Sequence, residues 1–213
     1  MTFWRTTFPV GRFQCNCSIV ADLSAREAIV INPGDEVPKI LEVLQERDLK
    51  VTAIVHTHAH LDHIGGTAEL CEHTHADSYL HPDDQMLHNL LPQQAMLLGL
   101  PLPKYGPIDE MLSDGQGLSF GKFELGTLHT PGHSPGSVCF TVPGQDLCFS
   151  GDTLFRNSIG RTDLWGGDSD VIKKSIQNKL YHLPNAVQVV TGHGPETSIE
   201  FEKSTNPFVR HLA

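Results

Sequence analysis

A chain of 213 residues with 39% hydrophobic and 19% charged residues has the material for a substantial core and lacks the composition of a disordered protein. Its 15 Lys and Arg against 25 Asp and Glu give a formal charge of −10, which repels nucleic acid and anionic membrane surfaces. No stretch reaches the roughly 18 apolar residues of a spanning helix, and Arg5 and Arg12 occupy the N-terminal region where a signal peptide would be apolar, so a cytoplasmic protein is expected.

In chain order, 17–20 and 28–31 read as short strands either side of a polar turn at 22–27. The stretch NPGDE then breaks the chain, and Pro38 starts a helix with Val37, Ile40, Leu41 and Leu44 at helical spacing. Residues 51–55 read as a buried strand, a helix follows Gly66 through Cys71, and 78–80 form another strand. The Pro- and Leu-rich segment 82–112 reads as a helical connection. Strands are expected at 117–120, 123–128, 137–142 and 147–150, with a hairpin turn at 143–146. A helix over 171–183, a strand at 187–190 and a helix over 197–204 complete the chain. Periodicity alone supports an α/β fold with mixed sheets. Cys15, Cys17, Cys71, Cys139 and Cys148 are odd in number and form no Cys-x-x-Cys pair, so free, buried thiols are expected.

The stretch HTHAHLDHIGG follows the 51–55 strand directly. Alternate side chains at a strand end point the same way, so His58 and His60 converge on one point. Asp62 and His63 follow after the chain turns and can face a second point nearby. Zinc, iron or manganese needs three or four such ligands, so others must come from elsewhere. His129, His133, Asp152 and His193 each follow an apolar strand and are flanked by Gly or Pro, where backbone approaches a site closely.

His58-x-His60-x-Asp62-His63, followed by His133, Asp152 and His193, resembles the metallo-β-lactamase fold superfamily over nearly the whole chain. TPGHSPGS, SGDTLFRNSIGRTD and GHGPET are similar to the glyoxalase II branch, the hydroxyacylglutathione hydrolases, and to its short single-domain bacterial members. The resemblance implies an αββα sandwich, two mixed sheets flanked by helices, as one domain over residues 1–213. It implies two divalent metal ions, zinc first with iron or manganese as alternatives. His58, His60 and His133 would hold one, Asp62, His63 and His193 the other, and Asp152 would bridge them. The implied reaction is hydrolysis of a small-molecule thioester, S-(2-hydroxyacyl)glutathione, by a hydroxide shared between the metals. Asp62 and Asp152 would orient that hydroxide, and Arg161 would contact the thiol portion or else pair with Asp163 or Asp170.

Three features depart from the family pattern. Thr162-Asp163 stands where many members carry an aromatic residue, Asn32 replaces the usual Asp before Pro-Gly, and no glutathione-binding helical domain is expected after His193. The alternative is a persulfide dioxygenase, which shares the fold and a similar GRTD loop but binds one iron through two histidines and a carboxylate. Outside the ligand set, His56 reads as a buried partner, and His129 as pointing away from the metals or hydrogen-bonding within its strand. His73, His75, His81, His88, His182 and His211 read as helical or surface residues, and Asp84 and Asp168 as solvated loop or capping residues.

Overall fold

The computed structural model describes residues 2–104 and 106–210, so His211 lies outside the described residues. One sheet holds, side by side, β1 (Phe3–Val10), β2 (Cys15–Asp22), β3 (Glu27–Ile31), β4 (Lys50–Val55), β5 (Asp77–Leu80) and β6 (Glu110–Met111). Its first three strands are antiparallel, and β3 to β6 run parallel. The second sheet has β7 (Gly117–Phe120), β8 (Phe123–His129), β9 (Val138–Val142) and β10 (Leu147–Gly151) in antiparallel succession. A ribbon of β11 (Leu154–Phe155) and β12 (Ser158–Ile159) follows. Then β13 (Gln188–Thr191) joins β10 in parallel, with β14 (Thr197–Ser198) at the edge. The helices are α1 (Val37–Glu46), α2 (Leu61–Ile64), α3 (Thr67–Thr74), α4 (Gln85–Asn89), α5 (Leu91–Leu98), α6 (Ser169–Asn178) and α7 (Ile199–Thr205). Among the described residues no helix is long and apolar enough to cross a membrane.

The period of two along each strand sorts side chains into layers. Val20, Ile29 and Val55 pack between the sheets against Phe120, Phe140, Phe149 and Val190. Their chain neighbours Ile19, Val30 and Ile54 face the other way, onto Ile40 and Leu44 of α1 and Leu70 of α3. In the second sheet Cys139, Cys148 and Val189 turn outward onto Ile172 and Ile176 of α6 and Ile199 of α7. The result is the expected αββα sandwich. Strands covered on both faces need apolar residues at every position, which is why AIVI and AIV read as unbroken runs. All five cysteines are free; four are buried and Cys71 is half-buried.

Some elements differ from the sequence reading. β1 is an edge strand, mostly half-buried, in which Arg5 and Pro9 break the apolar pattern; Pro is tolerated there because an edge leaves some N–H groups unpaired. Segment 82–112 is not continuously helical: a turn at Pro82–Asp84, α4 and α5 give way to extended chain and β6. The helix expected over 171–183 starts earlier, at Ser169, because the Asp168 carboxylate accepts the N–H groups of Asp170 and Val171. It stops at Asn178, and a separate 3-10 turn covers Leu180–His182.

Candidate metal centre

Four loops converge at one rim of the sandwich, at the ends of β4, β8, β10 and β13. Leaving β4, the chain presents His58 and then His60, the latter on extended backbone, and α2 carries Asp62 and His63 round to a second point. The loop after β8 supplies His133, Asp152 follows Gly151 of β10, and His193 lies just beyond Thr191 of the parallel neighbour β13. Close approach here depends on Gly192, where a Cβ would lie 2.0 Å from Asp152 Oδ1.

The side chains assemble into two linked groups. Ligand-capable atoms of His58, His60 and His133 lie within 4.8 Å of one another, as do those of Asp62, His63 and His193. Between them, Asp152 places Oδ1 3.4 Å from His63 Nε2, and Oδ2 3.6 Å from His133 Nε2 and 3.7 Å from His193 Nε2. All seven residues named from the sequence are brought together.

Ring orientation is set from behind. His133 Nδ1 donates to the Arg161 carbonyl at 2.8 Å and His193 Nδ1 to that of Phe13 at 3.0 Å, so each Nε2 aims inward. His63 Nδ1 rests 3.4 Å from the sulfur of Cys15, whose thiol burial pushes well up. Asn32, at φ +54°, accepts the Thr57 N–H and donates to Thr57 Oγ1, which lies 3.1 Å from His58 Nδ1. The uncharged Asn thus steadies His58 through Thr57.

The donor set fits divalent cations. His60 Nδ1 is 2.9 Å from His133 Nε2, and His63 Nε2 is 3.1 Å from His193 Nε2. Inward lone pairs this close repel unless a cation or proton lies among them. His58 Nε2 and Asp152 Oδ1 are buried without a hydrogen-bond partner. Burial and neighbouring histidines hold His58 well below its ordinary value and bring His60 down to about 3, keeping both rings neutral, as a metal ligand must be. At His193 burial opposes charge, but the hydrogen bond to Asp62 and the field of Asp152 outweigh it and push the group up to about 9. The carboxylates draw positive charge to this point.

His56 stands outside these groups, as expected: buried, it donates Nδ1–H to the Tyr79 carbonyl and contacts Thr67 Oγ1 through Nε2. His129 contacts the Pro135 carbonyl and stacks on His81, with ring centroids 4.0 Å apart. His81 and His88 are buried and are not surface residues; His81 closes β5 against His129, and His88 lies on the inner face of α4. Asp84 is a larger correction. It is fully buried, its Oδ2 accepting from Ala59 N–H at 3.0 Å and Ser134 Oγ at 2.7 Å, and its Oδ1 from Gly136 N–H at 2.6 Å. One carboxylate thus ties the His58–His60 loop to the His133 loop. No local pattern marks it, because its role comes from β5 lying parallel to β4.

Arg161 is exposed and forks onto Asp163, at 2.8 Å for both bonds, while lining a cleft of about 680 Å³ that opens over His60, Asp62, His133, Asp152 and His193.

The family model of the metallo-beta-lactamase superfamily matches residues 10–193. The chain is 40% identical to the "Probable metallo-hydrolase YqgX" of Bacillus subtilis, over 97% of each chain. It is 36% identical to the "Hydroxyacylglutathione hydrolase GloC" of Haemophilus influenzae, over 94% of this chain and 95% of that one. Among solved structures, TTHA1623 in a di-iron-bound form superposes with TM-score 0.85 at 39% identity, covering 96% of this chain and 100% of that one. ETHE1 from Myxococcus xanthus superposes with TM-score 0.80 at 26% identity, covering 97% and 84%.

Proposed function

The chain belongs to the metallo-beta-lactamase superfamily, and from that membership we propose a binuclear metallohydrolase of thioesters, S-(2-hydroxyacyl)glutathiones foremost, formed as one domain over residues 1–213. The observation that carries this reading is Asp152 set between the groups His58, His60, His133 and Asp62, His63, His193. In this reading His58, His60 and His133 hold one ion, Asp62, His63 and His193 the other, and Asp152 both. Zinc is the first choice of metal; iron is the next, since the similar TTHA1623 is known in a di-iron-bound form. Bound there, divalent ions would supply Lewis acidity and lower the pKa of a coordinated water toward neutrality.

The chain's own residues do the rest. Asp62 and Asp152 accept hydrogen bonds from a water held at the floor of the cleft and so fix its orientation. The Nδ1–H bonds of His133 and His193 to main-chain carbonyls keep their inner nitrogens free of protons when ions are present. A thiolate leaves without help from a strong acid, which suits thioester hydrolysis. Arg161, exposed and adjacent, can exchange Asp163 for a carboxylate of the glutathione portion.

ETHE1 similarity keeps a mononuclear iron dioxygenase as the rival. Metal analysis together with two assays separates them. About two ions per chain and anaerobic hydrolysis of S-lactoylglutathione support the proposal. About one iron, with oxygen uptake on glutathione persulfide and no thioesterase activity, overturns it.

A further inference from the structure

The cleft above the metal-capable groups is two-faced. Its floor is polar, but Leu87 and Leu90 from the α4 stretch, Leu97 and Leu98 of α5, and Leu164 and Trp165 after Arg161 make the rest of its lining largely apolar. Several of these are not folded away: Leu97 is 82% exposed, Trp165 58% and Leu98 42%. Large apolar side chains left in water around one opening mark a binding surface. Among the residues lining the cleft, Arg161 is the one Arg or Lys. Glutathione, with two carboxylates, is served by that guanidinium and gains nothing from the leucines. A lactoyl group ends in a single methyl and is too short to cover them.

We propose that the leucine-rich lobe is an acyl-binding site, and that the substrate is a thioester whose acyl group carries an apolar chain several carbons longer than lactoyl. This rests on the thioesterase reading and names its substrate class. The thiol portion lies at Arg161 and the acyl chain runs along the α4–α5 leucines toward Trp165.

The test uses metal-loaded protein and S-acylglutathiones from acetyl to octanoyl, beside S-lactoylglutathione. Each methylene that reaches the lobe should raise kcat/KM about fourfold until the lobe is filled. In Leu97→Gln with Trp165→Gln, both exposed positions at which folding is little affected, that slope should fall while metal content stays unchanged. Lengthening an alkyl thiol at constant acyl group should have little effect. Hydrolysis of S-lactoylglutathione with a flat acyl series overturns the acyl site and leaves the thioesterase reading standing. A slope that follows the thiol, or a double variant that alters self-association and keeps the acyl slope, likewise overturns it. No turnover of any thioester overturns both.

Discussion

Asp152 and Asp84 are both buried or nearly buried carboxylates close to the same loops, yet they answer to different tests. Asp152→Asn keeps the shape and removes the negative charge that faces both groups. Bound metal should fall and thioester turnover drop by about two orders of magnitude or more, with an unchanged circular dichroism spectrum. Asp84 touches no ligand, only the loops that carry them. Asp84→Ala strands the buried N–H groups of Ala59 and Gly136 and leaves the Ser134 hydroxyl with Ser137 Oγ alone. It should cost about 2–4 kcal/mol on denaturant unfolding and lower metal affinity about 10- to 100-fold by competition with a chelator. His56→Ala should destabilise by about 1–3 kcal/mol through the lost Tyr79 and Thr67 contacts, yet bind its full complement of metal. Loss of metal from His56→Ala with retention in Asp152→Asn would reverse the ligand assignment.

At the level of elements, α6 reaches the site without contributing to it. Its cap residue Asp168 also donates its N–H to the Gly132 carbonyl, and Ser175 Oγ donates to that of Pro131, so the helix start braces the turn that ends in His133. Asp168→Ala should cost about 1 kcal/mol, a fall in Tm of about 2–4 °C. Differential scanning calorimetry reads it directly. The elements legible in the sequence were those whose burial leaves a local trace. β3 and β4 lie between layers and carry the unbroken apolar runs 28–31 and 53–55; α1 has one apolar face. β1 left none, because an edge strand half in solvent accepts Arg5 and Pro9 beside Phe3 and Trp4. Two-residue strands such as β6 and β14 are too short to show any period. The seven clustered residues were legible because metal-capable side chains at apolar strand ends are a local pattern. Asp84 was not, because its role comes from β5 lying beside β4 and from the His133 loop arriving from the other sheet.

Across the whole molecule, the metal-capable residues come from both sheets: His58 to His63 follow β4 in the first, while His133, Asp152 and His193 follow β8, β10 and β13 in the second. Ions held there would join the halves of the sandwich at a rim also tied by Arg5 to Glu196 and by Asn16 to the Thr191 carbonyl. Removing metal with a chelator should therefore lower Tm for the entire molecule. A free metal concentration 1,000 times Kd contributes about 4 kcal/mol per ion, or roughly 8–16 °C per ion in a chain of this size. Restoring zinc should return it. That the two groups draw on residues as far apart as His58 and His193 has a consequence in time. Such distant segments meet only after both sheets have docked, so the ions arrive after the rate-limiting crossing. Stopped-flow refolding should then proceed at one speed with or without metal, while the native state's lifetime lengthens about tenfold for every 1.4 kcal/mol of binding.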